Sequence, residues 1–295
     1  MIDLIDLQFL GSPHTIASFL VRTGEGPVLV ETGPHATFAQ LELGLKTHGL
    51  APADIRHVFL THIHLDHAGA AWDLARRGAR IYVHPLGAPH LIDPSRLMSS
   101  AGRIYGDQMD QLWGRMEAIP ESQVHRPEDG EQITLGEHTF TAWYTPGHAI
   151  HHIAWQLDEK VIFTGDVAGV KINGGIVVPP CPPPDIHVED WQASIARLRS
   201  QAPEALYLTH YGKVEKIDEH LNALETRLLD WAEWMRPRFE AGKTVEETVP
   251  DFQAYVQKQL EEGGVKGEQL RQYEKANPSF MSVAGLMRYW KKRTQ

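Results

Sequence analysis

A single cysteine, Cys181, stands in a chain of 295 residues. It leaves no partner for an internal disulfide and nothing from which to build a cysteine-rich zinc module. No apolar run approaches the roughly 18 residues that a bilayer-crossing helix requires. The first residues, MIDLIDLQFL, alternate apolar and polar like a strand, without the basic start of a secretion signal. A surplus of positive charge is also missing, since 28 Lys and Arg face 38 Asp and Glu, a formal net charge of −10. Such a surface repels phosphate backbones and anionic lipid, so neither nucleic acid nor a membrane is expected as a partner. The expected setting is soluble and cytoplasmic, and the expected partner a small-molecule substrate. What the chain does have is 42% hydrophobic residues, enough for a large core, and 17 histidines, whose meaning depends on their spacing.

Short β-rich runs at residues 3–10, 15–22 and 27–31, separated by Gly-Ser-Pro and Gly-Glu-Gly turns, predict an antiparallel start to a sheet. Helical spacing at 37–47 and 66–77 then alternates with strand patterns at 57–61 and 80–84. The segment from Pro85 to Glu121 is patterned as helix, carries Met98, Met109, Trp113 and Met116, and reads as a helical insertion. Strand patterns resume at 132–135, 138–144, 152–157 and 161–164, and a helix at 188–200 leads into a strand at 205–209. A β-then-α order therefore occurs twice, which is the pattern of an α/β fold. From Glu215 onward only helices follow, broken at Gly242, Gly263-Gly264 and Pro278. These changes divide the chain into an α/β domain at 1–214 and a C-terminal helical appendage at 215–295. The run Pro179-Pro180-Cys181-Pro182-Pro183-Pro184 reads as a rigid loop.

The densest chemistry is the string THIHLDHAG, which sets His62, His64, Asp66 and His67 directly after the apolar Val58-Phe59-Leu60. In an extended segment His62 and His64 project to one side, and the turn into the next helix can bring Asp66 and His67 beside them. Three further candidates each end an apolar strand: His148 in Tyr144-Thr145-Pro146-Gly147-His148, Asp166 in Ile162-Phe163-Thr164-Gly165-Asp166, and His210 in Leu208-Thr209-His210. A lone histidine after a strand is commonly structural. Groups at strand ends, however, converge on one edge of a sheet, where open α/β architectures place their sites.

In these positions the sequence resembles the metallo-β-lactamase superfamily, whose H-x-H-x-D-H, later His, later Asp and final His occur here in order over residues 1–215. The resemblance implies an αββα sandwich, with the insertion and the C-terminal helices added to it. It implies one metal ion held by His62, His64 and His148, a second held by Asp66, His67 and His210, and Asp166 bridging the two. TPGHAIHH and the FTGD turn are most similar to the glyoxalase II group and the PqsE-type thioesterases. The function so implied is a binuclear hydrolase of a small-molecule thioester or ester, in which a metal-held hydroxide attacks the carbonyl. Asp66 and Asp166 would be catalytic through the metals, and Tyr211 could hydrogen-bond a developing oxyanion. Two divalent ions are expected, zinc first, with iron or manganese as alternatives, because imidazole and carboxylate ligands do not choose among them.

Other positions carry smaller expectations. Glu31 in VLVETG stands where the superfamily commonly has Asp and is expected to accept a ligand imidazole N–H, and His152 is expected to support the ligands rather than bind. His84 and His90 are read as structural ahead of pocket-lining. The loop VAGVKINGG after Asp166 offers Lys171 but no tyrosine, which counts against glutathione thioesters and against a lactonase. A mononuclear iron persulfide dioxygenase would leave Asp66, His67 and His210 without a task. A weakly catalytic regulatory metalloprotein is the remaining alternative. The insertion and the C-terminal helices are expected to roof the site, with Val283, Leu286, Met287 and Tyr289 packing on the insertion's Met and Trp side chains; a homodimer contact is the alternative use of that surface.

Overall fold

The computed structural model describes residues 2–294. Strands β1 (Ile2–Asp6), β2 (Ala17–Thr23), β3 (Gly26–Val30), β4 (His57–Phe59), β5 (Arg80–Tyr82) and β6 (Val124–His125) form one sheet in that order. Its first three strands are antiparallel and the rest run parallel. The second sheet has the order β12-β11-β10-β9-β8-β7, built from β7 (Gln132–Leu135), β8 (His138–Tyr144), β9 (Ile153–Leu157), β10 (Val161–Gly165), β11 (Ala205–Leu208) and β12 (Gly212–Val214).

Side chains alternate faces along a strand, and the register turns this alternation into layers. Leu20, Leu29, Val58 and Ile81 lie opposite one another across β2 to β5 and point outward. Phe19, Val30, Phe59 and Tyr82 make the neighbouring row and point inward, toward Ala142, Trp155 and Phe163 of the second sheet. Ile162 and Leu206 face out of that second sheet. Since both faces of both sheets are apolar, helices must cover the outsides. Helices α1 (Phe38–Thr47), α2 (Leu65–Ala68), α3 (Ala71–Arg76), α4 (Ala88–Ile92), α5 (Ser95–Tyr105) and α6 (Met109–Leu112) belong to the first half. Helices α7 (Val188–Ser200), α8 (Ile217–Glu240), α9 (Val245–Glu262), α10 (Glu268–Ala276) and α11 (Ser279–Arg293) belong to the second. The result is the expected αββα sandwich, with helices α4 to α6 lying between Pro85 and Glu121.

The inner layer also fixes the place where the histidine string begins. Phe59 stacks on Tyr82 and Phe140 at 4.3 and 4.4 Å and meets Trp155 edge-on at 4.7 Å. Each such pair contributes about 0.5–1.5 kcal/mol beyond its buried area. The Trp155 indole N–H donates to the Leu60 carbonyl at 2.9 Å, tying the two sheets together just before His62.

Four local expectations are corrected. The helix expected at 66–77 is two helices, because Gly69 packs against the backbone of Pro34 with no room for a Cβ, and Ala70 N–H turns aside to the Gly33 carbonyl at 3.0 Å. The strand expected at 3–10 stops at Asp6, whose carboxylate accepts the backbone N–H groups of Gln8 and His14, both at 2.9 Å, and so starts a turn. β6 and β12 were not foreseen, being too short for alternation to show. Val283, Leu286, Met287 and Tyr289 do not bury against the insertion: they share one core with α8, α9 and the second sheet, where Trp290 Nε1–H donates to the Ala232 carbonyl at 2.8 Å. The α10–α11 junction is what reaches the insertion, with the rings of Phe280 and Tyr105 6.3 Å apart. Among the described residues no helix is long and apolar enough to cross a membrane.

Candidate metal centre

All seven predicted ligands meet at one edge of the sandwich, each delivered by the end of a strand or the turn after it. His62 and His64 follow β4, Asp66 and His67 sit in the single turn of α2, His148 follows β8, Asp166 follows β10 and His210 follows β11. Their ligating atoms form overlapping groups, His62/His64/His148, His62/His67/Asp166 and Asp66/His67/His210, with every atom of a group within 4.8 Å of the others. In the first group His64 Nδ1 lies 2.9 Å from His62 Nε2 and 3.1 Å from His148 Nε2. In the last, Asp66 Oδ2 is 3.4 Å from His210 Nε2 and 3.7 Å from His67 Nε2. Asp166 faces both: Oδ2 is 3.3 Å from His148 Nε2, while Oδ1 is 3.3 Å from His67 Nε2 and 3.5 Å from His210 Nε2. Gly165 makes this approach possible, since at its φ of +47° a Cβ would collide with the side chains of Thr61 and His152.

Buried polar atoms ordinarily find a hydrogen-bond partner. His67 Nε2, His210 Nε2 and Asp166 Oδ1 are buried and have none. The charge pattern points the same way. Burial lowers the pKa of His62, His64 and His148, that of His64 to about 3, leaving neutral imidazoles with free lone pairs. Burial also acts on His67, but Asp66, Asp166 and Glu31 outweigh it and hold the pKa well above the ordinary value, and Asp166 with Asp66 raises that of His210. Against their own burial, the two carboxyls are pulled down in turn, Asp66 to about 2, chiefly by His67. In the second group, protons therefore supply positive charge that a divalent ion would supply in their place. Three imidazoles on one side, two imidazoles with a carboxylate on the other, and a shared aspartate fit a pair of such ions.

The far nitrogens of the ligand imidazoles are held as well. His148 Nδ1–H donates to the Pro180 carbonyl at 2.9 Å and His210 Nδ1–H to the Thr15 carbonyl at 2.6 Å. Glu31 takes His67 Nδ1–H at 3.1 Å, as expected for that position, and also accepts the Thr61 hydroxyl at 2.5 Å. Thr61 in turn lies 3.0 Å from His62 Nδ1. Glu31 is fully buried and has a φ of +65°, a conformation that non-glycine residues adopt only where the surroundings enforce it. His152 bonds Thr145 through Nδ1 at 2.8 Å and stacks on His62 at 5.1 Å, a supporting position.

A cavity of about 720 Å³ opens over this edge, with His64, Asp66, Asp166 and His210 in its wall. Tyr211 does not line it. Its ring packs on His14 at 4.9 Å and on the layer between the sheets, so the structure corrects the expectation that it assists the reaction. His84 is also turned away, accepting Leu86 N–H at 3.0 Å and lying over Tyr144, whereas His90 does reach the cavity. Lining residues that were not foreseen include His151 and Tyr105. His151 lies beside His64, ring to ring 5.8 Å, with its Nδ1 buried and unpartnered; its only signal in the sequence was membership of the turn after His148. Tyr105 comes from the insertion, and burial together with the nearby Asp66 raises its pKa, so its hydroxyl keeps its proton. Nothing in its local sequence marks it.

Comparison with known proteins gives a consistent picture. The sequence model of the metallo-beta-lactamase superfamily matches residues 11–210. Metallo-beta-lactamase fold-containing protein ST1585 of Sulfurisphaera tokodaii is 29% identical over 216 residues, 71% of this chain and 78% of that protein. Its solved structure aligns with a TM-score of 0.62 at 26% identity, covering 75% of this chain and 84% of that one. The metallo-beta-lactamase family protein TTHA1429 of Thermus thermophilus aligns over 99% of this chain and 94% of its own with a TM-score of 0.71, at 20% identity a likeness of fold alone. Thioesterase pkgB of Emericella nidulans is 29% identical over 152 residues, 50% of this chain. The chain spans 34% to 52% of the length of fungal relatives of this kind.

Proposed function

The chain belongs to the metallo-beta-lactamase superfamily, and from that premise we propose that it is a metal-dependent hydrolase of a small-molecule thioester or ester, using two divalent ions, zinc ahead of iron or manganese. The observation that carries this reading is the pair of donor sets joined by Asp166, whose buried atoms Asp166 Oδ1, His67 Nε2 and His210 Nε2 lack partners. His62, His64 and His148 would hold one ion, and Asp66, His67 and His210 the other. Such ions, when bound, supply an activated water and polarise the carbonyl it attacks.

The protein's own groups do the rest. Glu31, Pro180 and Thr15 fix the imidazoles, so that little reorganisation is left for the reaction itself. Tyr105 keeps a protonated hydroxyl in the cavity near Asp66 and can donate it to an oxygen on which negative charge grows. Apolar side chains line much of the cavity around it. The likeness to thioesterase pkgB and the FTGD and TPGHAIHH strings support thioesters ahead of lactones, while the apolar cavity and the net charge of −10 favour a small molecule over a nucleic acid. A panel of acyl-coenzyme A, glutathione thioester, lactone and phosphodiester substrates, run on protein of measured metal content, tests the proposal. Thioester turnover should lead the panel; a phosphodiester in that place would refute it.

A further inference from the structure

Large apolar side chains exposed singly on a surface mean little, but a contiguous group of them marks a binding surface. Eight large hydrophobic side chains are exposed among the described residues, and five of them, Leu10, Leu86, Ile104, Ile150 and Phe280, line this one cavity. They come from five separate places: the turn after β1, the loop before α4, helix α5, the turn after His148, and the start of α11. Leu86 and Ile150 are 55% and 52% exposed, so they do not serve the core. Phe9, Ile16, Leu97, Leu112, Trp113 and Met281, all less exposed, add to the apolar lining of the cavity that also contains Asp66 and His210. Apart from the histidines and the two metal-facing aspartates, the charged lining residues are Arg96, Lys275, Asp185 and Glu274, two of each sign, so away from the metal centre the wall offers no net charge to hold an ionic tail.

Resting on the hydrolase reading, we propose that the group transferred to water is a large apolar acyl group, a medium-length alkyl chain or an aromatic system of similar size, lying along this wall with its carbonyl at the metal centre and its far end against the exposed rim. An acetyl or lactoyl group would leave most of the roughly 720 Å³ unfilled and the rim without a purpose.

The test uses N-acetylcysteamine thioesters of straight-chain acids from C2 to C10, together with the 2-naphthoyl thioester, on the metal-loaded full chain. A fully buried methylene favours binding by up to about fourfold, so kcat/KM should rise by roughly threefold per methylene through the middle of the series, with naphthoyl among the best substrates. Leu86→Ser and Ile150→Ser change exposed side chains, so the fold should survive, and each should lower the decanoyl rate more than the butanoyl rate. If thioesters are hydrolysed but the rate is flat or falls with chain length, the inference is overturned and the hydrolase reading stands. If no thioester is hydrolysed, the thioesterase reading fails, and calorimetric binding of decanoate and butyrate still decides the inference: decanoate should bind at least tenfold more tightly, and equal affinities overturn it. Serine variants that dissolve a dimer or abolish binding to neutral phosphatidylcholine vesicles, with chain-length preference unchanged, would make the rim a docking surface and also overturn it.

Discussion

Replacing Glu31 with Gln keeps the shape of a fully buried side chain and removes its charge, which isolates what the carboxylate does. In the native protein Oε1 accepts from His67 Nδ1 at 3.1 Å, from the Thr61 hydroxyl at 2.5 Å and from the Thr209 hydroxyl at 3.4 Å, while Oε2 faces the Thr61 N–H at 3.4 Å. An amide oxygen can replace Oε1, but its NH2 then meets the Thr61 N–H, donor against donor. The flipped amide meets His67 and Thr61 with the same conflict. Either way a buried donor loses its acceptor, which costs about 1–3 kcal/mol of stability. The larger effect is on the metal, because loss of an orienting partner typically weakens affinity by about 10- to 100-fold, or about 1.4–2.7 kcal/mol. Chelator competition at pH 7.5, with kcat/KM measured on the same samples, should show weakened binding at the ion position that contains His67 and a parallel loss of turnover at limiting metal. Thr61→Val should give a smaller loss centred on the ion held by His62. Unchanged affinity and turnover in Glu31→Gln would refute the reasoning and leave packing alone to orient His67.

Three further outcomes are expected. Elemental analysis should find close to two divalent ions per chain, and Asp66→Ala should remove one of them; a stoichiometry near one that neither Asp66→Ala nor His210→Ala changes would exclude the binuclear reading. Tyr105→Phe should lower kcat by about 10- to 100-fold with metal content unchanged, while Tyr211→Phe should change it by less than about threefold, and the reverse ranking would contradict the placement of both rings. His220 is buried on α8, donates Nε2–H to the Ala168 carbonyl at 2.8 Å, and is pulled down to about 4 by burial. Its folded pKa lies below the unfolded value, so its contribution is present in full above about pH 6.5 and is lost as the pH falls toward 4, by about 2 kcal/mol at pH 5. His220→Leu should therefore flatten the dependence of urea stability on pH between 7 and 5, whatever it does to the absolute level, and an unchanged slope would count against a buried neutral imidazole.

What could be read from the sequence was local, or repeated a simple period. THIHLDHAG carries four ligand-type side chains within six residues, and no distant contact is needed to see their convergence. His148, Asp166 and His210 were visible because each closes an apolar strand, and strands of one sheet end near one edge. The expected elements at 132–135, 138–144 and 188–200 coincide with β7, β8 and α7, where the alternation or the helical period is uninterrupted. Tyr211 was misread because adjacency to His210 in the sequence says nothing of where its ring goes. The turn after β11 sets it on His14 and on the layer between the sheets, partners that lie far away along the chain. Tyr105 and Phe280 meet across 175 residues of chain, and no periodicity encodes a meeting of that kind. The apolar face of α11 was evident from its spacing, but its destination was not, because the surface that covers it lies on α8 and α9.

The centre and its cavity therefore answer to different forces. Every candidate ligand sits at a strand end or in the turn that follows one, four of the imidazoles are fixed through their second nitrogen, and the charges are buried, so a change in the base should disturb metal affinity first. The outer wall is apolar, partly exposed, and carried by the turn after β1, the insertion and the α10–α11 junction, segments that touch one another through contacts such as Phe280 on Tyr105. Dispersion and burial hold such a wall, and neither depends on the protonation or metal content of the base. Substitutions at Leu86, Ile104 or Phe280 should accordingly shift substrate preference while metal stoichiometry stays constant. A loss of metal in those variants would mean that wall and base are one cooperative unit after all.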